Sequence, residues 1–243
     1  MGWECQGCAH KRARLGWPSC KGERLCHQFD FTLVSLFPRR TRDDYRAIHE
    51  RIALDATDAT RWAHDIGDGS APLPSLSDFV REAHSILLCE LGPRAGVFRN
   101  EPVKVGGEGA HAFDGEGFAT IAQRMHELAQ SAPWPSPDVT RSELVRWAAR
   151  FLVRYFRIHP FIDGNGRTGR LVLEVAAKRS GRMRFTWTRP ERKAKQRRAY
   201  LHALQYAHQH GQHSDRPRRN ALAHLERWLD AHLSDVTNDD DEP

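Results

Sequence analysis

The chain has 243 residues, 40% hydrophobic and 28% charged, with a formal net charge of +6, which suits one main domain with an appendage and leaves enough apolar content for a core. A sequence pI near 9.3 favours an acidic ligand or partner, although a charge this modest also fits an ordinary soluble surface. No apolar run approaches the roughly 18 residues a membrane span needs, and the polar start Met1-Gly2-Trp3-Glu4-Cys5 is unlike a signal peptide. No membrane partner is expected, and the reading is a cytoplasmic chain.

Residues 1–40 differ from the rest. They hold Cys5, Cys8, Cys20 and Cys26, spaced C-x2-C, eleven residues, then C-x5-C, with His27 adjacent. In a chain read as cytoplasmic this favours a metal over disulfides. A Zn²⁺ held by Cys5, Cys8, Cys20 and Cys26, or with His27 replacing one of them, would staple a segment too short to bury its own core. The alternative is a set of reduced cysteines packed as small hydrophobes. The interleaved Lys11, Arg12, Arg14, Lys21 and Arg24 are either a nucleic-acid contact or a solvated face. Residues 41–74 read as a helix, capped at Thr41 and striped by Tyr45, Ile48 and Ile52, followed by a Gly/Ser/Pro linker. Ser77-Asp78 is expected to cap a helix through Cys89, with Phe79, Ala83, Ile86, Leu87 and Glu90 at helical spacing.

Val103 to Phe113 reads as a short β-hairpin: Val103-Lys104-Val105 alternates, Gly106-Gly107-Glu108-Gly109 turns and His111-Ala112-Phe113 returns. An amphipathic helix over residues 115–130 is stopped by Pro133-Trp134-Pro135. A helix over 141–158, apolar nearly all round, is expected to be central and buried. It delivers His159 at its C-terminal end.

The most informative stretch follows: His159-Pro160-Phe161-Ile162-Asp163-Gly164-Asn165-Gly166-Arg167-Thr168-Gly169-Arg170. Glycines flank an asparagine just before a helix-compatible run, Thr168 to Lys178. The backbone N–H groups of Gly164 to Arg167 can therefore form an anion-binding nest at a helix N-terminus, with Asn165 tolerating a left-handed turn. Arg167 and Arg170 share one face of the opening turn, where two guanidinium forks can hold further phosphate oxygens. Asp163 is a hard oxygen ligand suited to Mg²⁺, and His159 can exchange a proton near neutral pH. Further on, the 178–198 stretch carries ten basic residues and one acid; it is read as a solvated face with some electrostatic steering, the alternative being nucleic acid. A helix with Tyr200, Leu201, Leu204 and Ala207 follows, then a last helix over 221–233. The acidic end, 235–243, reads as a disordered tail.

This stretch resembles the Fic family motif His-x-Phe-x-(Asp/Glu)-Gly-Asn-Gly-Arg-x-x-Arg, meeting all eight specified positions; Ala95-Gly96-Val97-Phe98-Arg99 and the hairpin resemble the family's Ala-Gly-x-x-Arg stretch and flap. The resemblance implies a mainly α-helical Fic-like bundle over 75–234, with a small β-hairpin flap and, ahead of it, the Cys-rich module. It also implies AMP transfer from ATP to a Ser, Thr or Tyr hydroxyl of a target protein docked along Val103 to Phe113. Carried over, His159 is the general base, Asp163 the Mg²⁺ ligand, and Gly164, Asn165 and Gly166 hold the α- and β-phosphates. Arg167 orients them, Arg170 reaches the γ-phosphate, Tyr200 is a candidate contact to the base and Phe161 anchors the core. Gly166 speaks against the phosphorylating Doc branch, which carries Lys there. No intact (Ser/Thr)-x-x-x-Glu-(Gly/Asn) inhibitory motif is present; Ser19 to Glu23 has the spacing, but Arg24 follows. The family's two-component branch then implies a toxin restrained by a separate antitoxin-like partner; the alternative is regulation by another route, through the Cys-rich end. Two alternatives stay open: a nucleic-acid-binding or adaptor protein acting through its Cys-rich and basic segments, and a Fic enzyme with another nucleotide donor.

Overall fold

The computed structural model describes residues 58–88, 94–105, 113–114, 120–181, 183–186, 193–210 and 220–235, with only the backbone of 104–105, 113–114 and 193–197. All lie in the unit Ile48–Pro243. The Cys-rich segment with Cys5, Cys8, Cys20, Cys26 and His27, the helix start at Thr41, Cys89, the hairpin turn and the last eight residues lie outside the described residues.

Helical residues 58–67 bury Ala59, Ala63 and Ile66. The first fully described helix, α1 (Leu76–Leu87), is capped by Ser75, whose Oγ accepts from the Asp78 N–H at 3.2 Å and donates to the Asp78 carboxylate at 2.6 Å. The expected cap at Ser77 is thus one half-turn late: Pro74 precedes Ser75, and the chain enters the helix directly after it. Leu76, Phe79, Val80, Ala83, His84 and Leu87 form its buried face. Ile86, expected in that stripe, is half-buried.

Strands β1 (Lys104–Val105) and β2 (Phe113–Asp114) pair antiparallel, Lys104 opposite Asp114 and Val105 opposite Phe113. The hairpin is therefore present, shifted one residue from the expected frame, and Val103 precedes its first strand.

Helix α2 (Ile121–Ser131) buries Ile121, Met125 and Leu128. Helix α3 (Arg141–Ile158) begins at a capping box in which the Glu143 N–H bonds Thr140 Oγ1 at 3.4 Å and the Thr140 N–H bonds the Glu143 carboxylate at 2.9 Å. Such caps contribute about 1 kcal/mol. Its buried face carries Leu144, Ala148, Phe151, Leu152 and Tyr155, while Arg146 and Arg150 are exposed and Trp147 and Val153 half-buried, so it is central without being apolar all round. Trp147, Phe151 and Tyr155 stack in succession, 5.4 and 5.2 Å apart, and Trp134 joins them to Phe79 of α1. This ring ladder ties α1 to α3.

Helix α4 (Asn165–Arg179) packs on α1 and α3. Gly169 is what lets it lie close to α3, since a Cβ there would stand 3.3 Å from the Tyr155 ring. Beyond it come β3 (Met183–Phe185), α5 (Lys193–His210), α6 (Ala223–Ala231) and β4 (Leu233–Asp235).

The antiparallel β3–β4 pair is a second sheet that the sequence reading did not contain. Met183, Phe185 and Leu233 point inward and Arg184 outward. The last helix ends at Ala231, short of the expected Leu233, and β4 begins two residues ahead of the expected tail and takes its first residue, Asp235, into the sheet. Arg141 holds this end by donating to the Asp230 carboxylate at 2.7 Å and to the Leu233 carbonyl at 2.6 Å. On α5, Ala203, Leu204 and Ala207 are buried, while Leu201 is 37% exposed. Among the described residues, no helix is long and apolar enough to cross a membrane.

Candidate active site

The α3–α4 connection is built by residues that satisfy its backbone from within. His159 caps α3 at φ 49°, the one non-glycine residue with positive φ among the described residues, and its N–H bonds the Tyr155 carbonyl at 2.8 Å. A left-handed histidine is uncommon, and sites of this kind concentrate where geometry serves function. Arg99, 3% exposed, holds it there. Its Nε donates to the His159 carbonyl at 2.7 Å and its Nη2 to the Ile158 carbonyl at 3.1 Å, while its N–H donates to the Pro160 carbonyl at 2.8 Å. A buried guanidinium thus satisfies the carbonyls that the end of α3 leaves open.

Phe161 is fully buried, as expected of a core anchor. Asn165 ties back to it twice: its Oδ1 accepts the Phe161 N–H at 3.1 Å and its Nδ2 donates to the Phe161 carbonyl at 2.7 Å. Asn165 is already helical, and Gly164 is the residue that turns left-handed, at φ 75°. The expectation that Asn165 makes the turn is corrected accordingly, and α4 starts three residues earlier than Thr168. Its side chain closes the loop, which leaves its backbone N–H for an anion. The Gly164 N–H is taken by Asp163 Oδ1 at 2.6 Å, so the nest loses that expected donor. What remains is the first turn of α4, whose N–H groups the helix itself leaves without acceptors.

Both arginines lie at that turn. Arg167 Nη2 is 3.4 Å from Asp163 Oδ2, and Arg170 reaches back so that its Nη1 lies 3.9 Å from where a Cβ on Gly166 would stand. Nothing else approaches that point, so Gly166 is required by no contact within the described protein. A glycine inside a first helical turn is unfavourable by about 0.5–1 kcal/mol relative to Ala, and the space it keeps open beside Arg170 is the space an oxyanion would fill.

Burial holds the His159 ring down to about 4, the Phe156 carbonyl opposing this and the Arg99 charge adding to it. The ring is therefore neutral at pH 7 and able to accept a proton; its Nδ1 is buried without a hydrogen-bond partner. A second half-buried histidine, His208 of α5, is likewise held to about 4 by burial, with the Arg157 and His159 charges contributing. Neither His208 nor the role of Arg99 was read from the sequence. His84 of α1 is the third. It is 1% exposed and is also held to about 4, by burial first and then the Arg167 charge, against the Asp163 carbonyl. Its signal was available, four residues after Val80 on the buried stripe. Tyr200 is half-buried against Trp228, ring centroids 4.8 Å apart; burial pushes its hydroxyl up and the Arg170 charge opposes that. That influence puts Tyr200 near the second arginine.

The Asp163 carboxylate, 13% exposed, accepts from the Gly164 N–H and faces Arg167. Among the described residues, no three His, Cys, Asp or Glu side chains gather as a metal cage. A Mg²⁺ here would therefore have Asp163 as its one protein carboxylate, with phosphate and water oxygens completing its shell, the ordinary mode for this ion beside a polyphosphate.

The neutral His159 sets a pH window. Its folded value lies below the unfolded value of about 6.5, so the unfolded chain binds more protons between them. The stability it contributes is complete above pH 6.5 and is lost as pH falls toward 4, about 3 kcal/mol in all. Urea unfolding at pH 7.5 and pH 5 should show this loss, reduced in His159→Ala; equal pH dependence in the two proteins would contradict the buried neutral ring.

One loop between two helices thus brings together His159, at the end of α3, and the first turn of α4 with Arg167 and Arg170. Residues 72–177 match the family model described as "Fic/DOC family". Over those residues the expected resemblance to the family is borne out.

Curated relatives named "Protein adenylyltransferase Fic" from Drosophila willistoni and Drosophila grimshawi are each 35% identical over 105 residues, 42% of this chain. The match spans only 19% and 20% of those relatives' lengths. A Fic domain containing signaling protein from Bacteroides thetaiotaomicron aligns at TM-score 0.59 and 20% identity over 82% of this chain and 74% of its own. A VirB-translocated effector from Bartonella tribocorum with bound AMPPNP aligns at 0.56 and 16% over 79% and 89%. The N-terminal Fic domain of a putative cell filamentation protein from Bartonella quintana with bound ADP aligns at 0.55 and 19% over 79% and 87%. These likenesses establish the Fic-like fold.

Proposed function

We propose that this chain is a protein adenylyltransferase, moving AMP from ATP to a hydroxyl of a target protein. The observation that carries it is the neutral, left-handed His159 placed one short loop before the glycine-opened first turn of α4, with Arg167 and Arg170 beside that turn. The relatives' name and the nucleotides bound in the two Bartonella structures support ATP as donor.

In this reading the first-turn N–H groups of α4 and the two arginines hold the phosphate chain by charge-assisted bonds and the helix dipole. His159 takes the proton from the target hydroxyl as its oxygen bonds to the α-phosphorus. The bond from that phosphorus to the oxygen bridging to the β-phosphate breaks, and pyrophosphate leaves with the electron pair. Asp163 would hold Mg²⁺, which when bound neutralises charge on the phosphates. Tyr200 stands as a contact for the base. The β1–β2 hairpin would seat the target segment by strand addition, and a separate inhibitory partner would restrain the enzyme.

Intact-protein mass tests this after incubation with ATP, Mg²⁺ and a cell lysate. An AMP adduct on this chain or on a lysate protein is expected. Adducts formed only with another nucleotide triphosphate would replace the donor, and binding of nucleic acid with a steep salt dependence but no adduct would favour the adaptor reading.

Gly166→Ala should separate folding from binding. With no neighbour in its way, the added methyl should stabilise the chain by about 0.5–1 kcal/mol. It should also weaken ATP binding about tenfold or more by obstructing a charge-assisted bond. Unfolding curves and ATP titration check this; unchanged affinity would remove the anion from that turn.

A further inference from the structure

His84 plays no part in the proposed reaction, yet it touches two segments that the site depends on. The Gly96 N–H donates to its Nδ1 at 2.9 Å, and its Nε2 lies 3.1 Å from the Asp163 carbonyl oxygen. Its ring stacks on Phe161, centroids 3.7 Å apart and planes 18° apart. It also closes over Gly164, where a Cβ would stand 3.3 Å from both Cδ2 and Nε2.

A backbone N–H can only donate and a carbonyl can only accept. Nδ1 must therefore offer its lone pair and Nε2 must carry the proton, so one neutral tautomer serves both partners. Gly96 cannot relax to suit another arrangement. Its φ is +71°, a Cβ there would meet the Arg81 carbonyl oxygen at 2.9 Å, and its own carbonyl accepts from Arg81 Nε at 3.2 Å. The sequence Arg81, Gly96, His84, Asp163 is thus a continuous set of bonds from α1 through the Ala-Gly-x-x-Arg loop to the entry of α4.

We propose that His84 is a positioning residue: fixed in its Nε2–H form by Gly96, it holds the Asp163 carbonyl and so sets the left-handed entry at Gly164 that aims the first-turn N–H groups of α4. The inference rests on reading that turn as a nucleotide-phosphate seat. An imidazole suits the task because it offers an acceptor and a donor on opposite edges of one flat ring, whose face packs on Phe161. Asn can reproduce only the acceptor toward Gly96, Gln only the donor toward Asp163, and Phe only the ring.

The test compares full-length wild type with His84→Gln, His84→Asn and His84→Phe. The readouts are ring ¹⁵N signals, amide ¹H–¹⁵N signals of Asn165, Gly166 and Thr168, thermal midpoint, and ATP affinity by titration. The expected result is an Nε2–H ring in the wild type, with His84→Gln keeping wild-type amide positions and most of the ATP affinity. His84→Asn and His84→Phe should shift those amides and bind ATP at least tenfold more weakly, even where the Phe variant melts as high as the wild type. An Nδ1–H ring, or a Phe variant with wild-type amides, would overturn the proposal, because packing alone would then suffice. If the wild type binds no ATP, the nucleotide reading falls, and the ring and amide signals still decide the role of His84.

Discussion

Gly164→Ala should destabilise this protein by about 2–5 kcal/mol and lower its melting temperature by roughly 5–15 °C. Two separate effects add. At φ +75° an L-residue pays for the left-handed backbone, about 1–2 kcal/mol. The new Cβ would also stand 2.2 Å from Leu88 Cδ1, and Leu88 is fully buried. Overpacking of this kind costs about 1–3 kcal/mol. Against a total stability of about 5–15 kcal/mol for a domain, the sum is large. Calorimetry of Gly164→Ala with and without Leu88→Ala separates the two, because the second change relieves the clash and leaves the backbone cost. A melting temperature within about 2 °C of wild type would mean that the loop does not hold Gly164 as described.

His159→Ala should lower AMP transfer by about 10²–10⁴-fold, the range that a positioned general base supplies, with ATP affinity nearly unchanged. The split follows from where the residue sits. The proposed anion seat belongs to α4 and its arginines, whereas His159 belongs to the end of α3 and is anchored by Arg99 through its carbonyl, a backbone bond that alanine retains. Single-turnover transfer and ATP titration on the same preparation check both halves. Transfer within tenfold of wild type would assign proton removal to another group, with His208 of α5 the next to test.

Much of this site was legible in the sequence because its chemistry is local. Helix α3 matched its expected span, since Thr140 and Glu143 mark its start and Leu144, Ala148, Phe151, Leu152 and Tyr155 keep the helical period. The grouping of His159, Asp163, Gly164, Gly166, Arg167 and Arg170 followed from sequence adjacency. What was misread depended on partners distant in sequence. Gly166 and Asn165 are weak helix formers, which disguised the first turn of α4; the turn is imposed by the Asn165 side chain closing on Phe161. Strands β3 and β4 each hold three residues and meet only through tertiary pairing, with α5 and α6 between them. His84 was not singled out in the sequence, because its two bonds run to Gly96 and Asp163, twelve and seventy-nine residues away. Arg99 was recognisable by resemblance, but its grip on the end of α3 was not.

The central claim is most directly tested by the fate of the phosphates. Incubating the chain and a lysate with ATP labelled on the α-phosphate, and separately on the γ-phosphate, distinguishes the groups that can be transferred. Adenylyl transfer predicts protein labelling from the α-label alone, lost in His159→Ala. Labelling from the γ-phosphate would make this chain a phosphotransferase and contradict the account.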